Sequence, residues 1–301
     1  MDNLSLIPPA SIAVPRECEI VKIQLEGDYP GWARLYVPVG RSERGIIYLH
    51  GIQSHGGWFT ASCDYLRRHG ALVLAVDRRG SGLNRQERGH AHAPAQLLGD
   101  LDRTAEWLRE TSGFAKVDLL AVSWSGKLAL VYAAQHPEKV ASLTLVAPGF
   151  CPMVDLSLPE KIRVGMNGAL HPHKLHPIPL DDPALFTANP EKQAFIRDDP
   201  LKLTETTAAF LITSRRLDSM CPHAIAKLSQ RKIPIRLFLA GRDFIIDNQA
   251  TIRLLGPILT AAPVIYPDAG HTLEFKPDFE KFFHDLSSFE NLAADCADKR
   301  R

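Results

Sequence analysis

Val117-Asp-Leu-Leu-Ala-Val-Ser123-Trp-Ser-Gly-Lys127-Leu-Ala-Leu-Val-Tyr-Ala-Ala-Gln-His-Pro137 decides the fold. Its first six residues form a short apolar run bounded by turn signals, the pattern of a strand buried on both faces of a parallel sheet. From Lys127 onward, Leu128, Leu130, Val131 and Ala134 recur at helical spacing, and His136-Pro137 stops the helix. Only a sharp turn fits between strand and helix, and Ser123 stands at its apex. A side chain there points away from the sheet, above the N-terminus of the following helix, so its hydroxyl is lifted beside backbone N–H donors. Such a turn is strained and needs small residues two places before and after the apex. Ala121 and Ser125 meet that demand. Taking Ser125 as the apex instead would place Lys127 in one of the crowded positions, so the reading favours Ser123.

The same alternation extends outward in both directions. Cys18 to Glu26 reads as a strand, and after the turn Gly27-Asp-Tyr-Pro-Gly31, Trp32 to Val37 reads as its hairpin partner. Gly45-Ile-Ile-Tyr-Leu-His50 and Ala71-Leu-Val-Leu-Ala-Val-Asp77 are buried strands, separated by a helix over about 58–69. The loop Arg78-Arg-Gly-Ser-Gly-Leu-Asn84 carries the glycines of a tight strand-to-helix connection. A helix over 96–111 and a strand over 141–147 follow. This order predicts an α/β protein with a doubly wound, mostly parallel sheet.

At Pro148-Gly149 the alternation stops. Residues 150–232 are rich in proline and in isolated apolar residues, with helical stretches near 159–166 and 203–220, and read as an inserted helical cap. The α/β register resumes at Ile233-Pro-Ile-Arg-Leu-Phe-Leu-Ala240, then a helix over 248–259, a strand over 263–266 and a final helix over 277–289. The expected organisation is therefore a core of residues 1–149 and 233–301 carrying a cap of residues 150–232. Residues 1–17 read as an irregular arm and 291–301 as a fraying polar tail.

Composition narrows the function. A net charge of +1 over 301 residues supplies no basic surface that would require nucleic acid or an anionic membrane as partner. No run approaches the roughly 18 apolar residues of a membrane span, and the N-terminus lacks the pattern of a signal peptide. The five cysteines are scattered and odd in number, which reads as free thiols of a cytoplasmic protein.

Four stretches each follow a predicted strand: Leu49-His-Gly-Ile-Gln53, Ala121-Val-Ser-Trp-Ser-Gly126, Ala240-Gly-Arg-Asp-Phe-Ile-Ile-Asp247 and Ala269-Gly-His-Thr-Leu-Glu274. On these, taken in order, nearly the whole chain resembles the α/β-hydrolase superfamily, and within it the serine aminopeptidase, monoacylglycerol lipase and lysophospholipase branch. The family's usual elbow is Gly-x-Ser-x-Gly; Ala121 and Ser125 depart from it, both to small side chains. The resemblance implies Ser123 as nucleophile. A serine hydroxyl needs a base, and among the twelve histidines His271 follows the last strand in a glycine-containing loop, on the sheet edge of Ser123. His136 and His284 fall at or within helices and read as solvated.

The imidazole needs a carboxylate to fix its tautomer. Asp243 directly follows a strand and matches the family order; the rival Asp247 stands where an aspartate caps the next helix, and Asp268 is too near His271 in sequence. The resemblance further implies oxyanion donors from the backbone of Trp124 and of Ile52, with Gln53 the neighbouring register. His50 and Gly51 then shape that loop.

The implied activity is hydrolysis of a small-molecule carboxylic ester through an acyl-enzyme, with no metal and no organic cofactor. The same machinery also serves thioesters, amides, carbon–carbon bonds or acyl transfer, and the fold also occurs as a non-catalytic ligand-binding protein. Dehalogenase and epoxide-hydrolase chemistry would need an aspartate in place of Ser123. His171, His173 and His176, with His90 and His92, read as solvated loop residues rather than metal ligands. Phe186, Phe195, Phe210, Leu211 and Met220 read as cap core ahead of pocket lining. Arg215-Arg216 reads as a solvated helix face ahead of a contact for an anionic head group.

Overall fold

The fold is that of a computed structural model, described over residues 18–288. The expected N-terminal arm, the polar tail, Phe289 and Cys296 lie outside the described residues.

Ten strands and eight α-helices make up the described chain. Strands β1 (Glu19–Gln24) and β2 (Pro30–Tyr36) form the antiparallel hairpin, followed by β3 (Arg44–Leu49), α1 (Thr60–Arg68) and β4 (Ala71–Val76). Then come α2 (Pro94–Ser112), β5 (Val117–Val122), α3 (Ser125–Gln135) and β6 (Val140–Val146). The chain next builds α4 (Leu158–Leu170), β7 (Leu175–Pro177), α5 (Pro190–Asp198), β8 (Glu205–Thr207) and α6 (Ala208–Leu228). It returns with β9 (Ile235–Ala240), α7 (Asn248–Leu255), β10 (Val264–Tyr266) and α8 (Glu280–Ser287).

Eight strands form one sheet in the order β1-β2-β4-β3-β5-β6-β9-β10, parallel from β4 to β10. β3, β4, β5 and β9 are apolar almost throughout because both faces are covered. Leu101, Leu108, Leu128 and Tyr132 of α2 and α3 pack one face; Cys63, Leu66, Phe282 and Phe283 of α1 and α8 pack the other. This is the α/β-hydrolase fold. Its consequence for chemistry is geometric: the carboxyl ends of β3, β4, β5, β9 and β10 open on one edge, and the four stretches that carry the resemblance, with the Arg78–Asn84 loop, follow those ends.

Between β6 and β9 the chain leaves the sheet. β7 and β8 pair antiparallel, and α6 runs against α3. The sequence pattern begins the last of these helices at 203; it begins at Ala208 because residues 205–207 pair as β8 and the Thr207 hydroxyl caps the Phe210 N–H (3.2 Å). It also continues through Pro222 to Leu228. The segment is stapled to the core. Asp199 accepts from Trp58 Nε1 (2.6 Å) and His55 Nε2 (3.0 Å), the Leu203 N–H donates to the Gln53 carbonyl (2.8 Å), and Arg88 Nη2 donates to the Leu201 carbonyl (2.7 Å). On α4 the inner Val164 is buried, while Leu158, Ile162, Met166 and Leu170 repeat every four residues on the exposed side.

Among the described residues no helix is long and apolar enough to cross a membrane, and no group of three or more His, Cys, Asp or Glu could hold a metal ion.

Candidate active site

The turn after β5 is built as its residues demand. Ser123 has φ +53°, a left-handed conformation that costs a Cβ-bearing residue and persists only where the surroundings enforce it. They do so on three sides: the Ser123 N–H donates to the Val146 carbonyl (3.0 Å), and the Ser123 carbonyl accepts from Gly126 (2.9 Å) and Gly149 (2.8 Å). Gly149 packs closely under the turn: a Cβ there would lie 3.2 Å from the Trp124 nitrogen, a tight contact that would push on the Ser123–Trp124 backbone. Where the family pattern has its second glycine, the buried Ser125 fits by donating its hydroxyl to the His50 carbonyl. Ser125 therefore faces away from the imidazole, and the hydroxyl presented to His271 is that of Ser123.

His271 Nε2 lies 2.9 Å from Ser123 Oγ, and His271 Nδ1 lies 2.9 Å from Asp243 Oδ2. Since a carboxylate can only accept, Nδ1 carries the proton toward Asp243 and Nε2 is left to accept from the serine hydroxyl. The other oxygen, Asp243 Oδ1, accepts from the N–H groups of Ile245 (2.8 Å) and Ile246 (3.0 Å), which fixes the carboxylate plane. His271 is 2% exposed and the Asp243 side chain 0%, so bulk water does not compete for these bonds. Asp247 caps α7 through the Ala250 N–H (2.9 Å), and Asp268 pairs with Arg242 at the surface (2.9 Å); neither reaches the imidazole.

Two contacts hold the His271 loop from behind. Phe186 sets its ring edge-on to the imidazole at 6.0 Å and accepts the Thr272 N–H on its carbonyl (3.0 Å). Glu274 accepts from the N–H (3.0 Å) and hydroxyl (2.5 Å) of Ser62 in the first turn of α1. Burial pushes this carboxyl up to about 7, against the lowering effect of the Ser62 bonds.

The N–H groups of Ile52, Gln53 and Trp124 meet no acceptor among the described residues. Ile52 and Trp124 line the same cavity as Ser123; Gln53 does not, and is 3% exposed. His50 is neutral: burial, with Arg78 nearby, lowers it to about 3. It donates from Nδ1 to the Gly51 carbonyl (2.8 Å) and accepts the Arg78 N–H on Nε2 (2.9 Å).

Sequence reasoning passed over Arg78. Its guanidinium is buried with no carboxylate in contact among the described residues, donates to the carbonyls of Gly51 (3.2 Å) and Ile52 (3.0 Å), and stacks against Trp124 (4.7 Å). The available signal was an arginine directly after a fully buried strand. Lys127, also passed over, is buried beside the cavity and bonded to Asp218 of α6.

The cavity at Ser123 has a volume of about 600 Å³ and lies between the sheet edge and the 150–232 segment. Of the five apolar residues weighed for its lining, only Leu211 lines it. Phe210 is buried on Trp124, Phe186 backs His271, Phe195 is 40% exposed, and Met220 packs on the core. Arg215 and Arg216 lie at its wall. Two of the histidines expected in solvent are instead buried: His90 bonds Thr207 Oγ1 (3.0 Å) and stacks on His173, and His176 bonds Asn167 (3.1 Å). Residues 171–176 and 90 lie where β8 and the inserted segment fold back on the core, which periodicity alone does not reveal.

The sheet and the serine–imidazole–carboxylate arrangement at its edge define an α/β-hydrolase. The family described as serine aminopeptidase, S33, matches residues 40–278, and the chain belongs to that family. A monoacylglycerol lipase of Mycolicibacterium smegmatis is 26% identical over 264 residues, covering 82% of this chain and 88% of that protein. The first curated relatives are matched over only 18% to 31% of their own length; one is a proline iminopeptidase of Neisseria meningitidis, 32% identical over 33% of this chain. Among solved structures, the monoacylglycerol lipase of Paleococcus ferrophilus superposes with a TM-score of 0.75 at 20% identity, covering 88% of this chain and 98% of that one.

Proposed function

We propose that this protein is a serine hydrolase that cleaves a carboxylic ester through an acyl-enzyme. The observation that carries the reading is the pair of 2.9 Å contacts linking Ser123, which lines the cavity, through His271 to Asp243. Ser123 Oγ attacks the ester carbonyl as its proton passes to His271 Nε2. The carbonyl electron pair moves onto oxygen, where the N–H groups of Ile52 and Trp124 stabilise it, one such donor being worth roughly 10²–10³ in rate. The tetrahedral adduct collapses, the His271 proton goes to the departing alkoxide, and the alcohol leaves. Water, deprotonated by His271, then repeats the sequence on the acyl-serine and releases the acid. Asp243 holds the imidazole and stabilises its protonated form. The 150–232 segment acts as the cap that walls the cavity, and the free thiols of Cys63, Cys151 and Cys221 among the described residues are in keeping with a cytoplasmic protein.

Amide cleavage is the second reading, favoured by the family description and the iminopeptidase relative. A free amino group would need an unengaged carboxylate in the cavity. Both carboxylates at its wall are already paired, Asp218 with Lys127 and Asp155 with Lys161. That tips the choice to the ester. A fluorophosphonate probe should label Ser123 and fail on Ser123→Ala, and p-nitrophenyl esters should be turned over faster than aminoacyl p-nitroanilides. Faster anilide cleavage would replace the ester reading; no labelling of Ser123 would end it.

A further inference from the structure

The wall of the Ser123 cavity is of two kinds. One stretch is aliphatic, with Ile178, Leu180, Leu211, Ile245 and Ile246. The other is ionic and centres on Lys127, one helical turn beyond Ser123 on α3. The Lys127 side chain is only 7% exposed and its ammonium bonds Asp218 Oδ1. Asp218, 26% exposed, also receives Arg215 Nη1 (3.3 Å), so a single carboxylate serves two cations.

Ser214 adds to the surplus of donors. Its oxygen accepts from Trp124 Nε1 (2.9 Å) and faces Lys127 Nζ (3.4 Å), and its own proton has no acceptor among the described residues. Over the whole cavity, four cations (Lys127, Lys161, Arg215, Arg216) face two carboxylates (Asp155, Asp218). Burying an ammonium is costly, and an apolar pair in its place is often neutral or stabilising. A cavity meant for an aliphatic substrate alone has no use for the charge, whereas an anionic ligand group would complete it.

We propose that the site takes acyl esters with an aliphatic part and an anionic group (carboxylate, phosphate or sulfate), the anion resting on Lys127 and Ser214 with Arg215 and Arg216 beyond. This rests on the ester-hydrolase reading. A plain latch between α3 and α6 would use the same Lys127–Asp218 bond without any preference for charge in the substrate, and that difference is measurable.

Two substrate pairs test it, one for each arm of the ester. p-Nitrophenyl hydrogen suberate is compared with its methyl ester, and 1-octanoylglycerol 3-phosphate with 1-octanoylglycerol. The anionic member should have the higher kcat/KM in at least one pair, by about tenfold at low salt, with the advantage shrinking as salt is added. The ratio should collapse toward one in Lys127→Met/Asp218→Leu, which exchanges the ion pair for apolar side chains. It should fall in part in Arg215→Ala/Arg216→Ala, whose exposed positions leave folding undisturbed. Equal or better turnover of the neutral member in both pairs overturns the inference and leaves the hydrolase reading standing; so does an anion preference that survives the Lys127→Met/Asp218→Leu exchange. Failure to cleave any of the four esters, with Ser123 unlabelled by a fluorophosphonate, overturns both.

Discussion

The guanidinium of Arg78 donates to the carbonyl oxygen of Gly51 at 3.2 Å while its face rests on the indole of Trp124. In a trans peptide the C=O and the following N–H point in opposite directions, so a clamp on the Gly51 oxygen turns the Ile52 N–H away from Arg78. His50 Nδ1 donates to the same oxygen at 2.8 Å. Arg78 thus touches both residues whose N–H groups the reaction would use: Ile52 through its peptide plane and Trp124 through its ring. Arg78→Met should lower kcat by about 10–100-fold with KM nearly unchanged, since the loss falls on the charged adduct rather than on substrate binding. A boronic acid inhibitor, which mimics that adduct, should weaken in parallel. A variant with raised KM and intact kcat would assign Arg78 to the pocket wall instead.

Asp243 and Asp247 separate cleanly by substitution. Asp243→Asn keeps one acceptor oxygen but turns an NH₂ group toward either His271 Nδ1 or the Ile245 and Ile246 N–H groups, so the imidazole tautomer is lost. Turnover should drop by roughly 10³–10⁴. Asp247 caps α7, and asparagine caps equally well, so Asp247→Asn should leave turnover within about twofold. Steady-state kinetics on one p-nitrophenyl ester distinguishes them; comparable losses in both would mean that the carboxylate assignment is wrong.

Ser125 replaces the glycine of the family pattern and bonds the His50 carbonyl from a buried position. Ser125→Ala leaves that carbonyl with one partner fewer in a dry site, a cost of about 1–2 kcal/mol in unfolding free energy. Chemical denaturation should show the loss, while the Ser123 geometry and hence turnover stay within a few fold. An inactive but fully stable Ser125→Ala would make this serine, not Ser123, the reacting one.

Much of this was legible because the signals are local. β5, Ser123 and α3 are set within twenty residues by an apolar run, small flanking residues and helical spacing, and the structure brings Ser123, His271 and Asp243 into contact. What was not legible depends on distant chain. Lys127 looks like the first polar residue of a helix until α6 crosses it and supplies Asp218. Arg78 looks like a loop residue until the β3 loop lays two carbonyls over it. α5, β7 and β8 are short and polar, and are held by tertiary bonds such as Asp199 to Trp58 rather than by periodicity. His90 and His176 are buried by the same folding back.

Glu274 gives a pH signature of the fold. Its carboxyl is raised from an ordinary 4.5 to about 7, burial outweighing the two bonds from Ser62. The folded state therefore holds this proton more tightly than the unfolded chain, so between about pH 4.5 and 7 it binds more protons and stability falls as pH rises. Below that window both states are protonated and nothing is lost; above it the full penalty stands, on the order of 3 kcal/mol. Glu274→Gln keeps the shape and removes the titration. The variant should match the wild type near pH 4.5, gain on it through neutrality, and be several degrees higher in Tm at pH 8. A variant that melts below the wild type at pH 8 would show that the carboxylate at the α1 N-terminus is stabilised in the fold by more than burial costs it. Because Glu274 anchors the segment just after His271, the same titration loosens the loop that carries the imidazole, and the Glu274→Gln enzyme should hold its activity longer on incubation at pH 8.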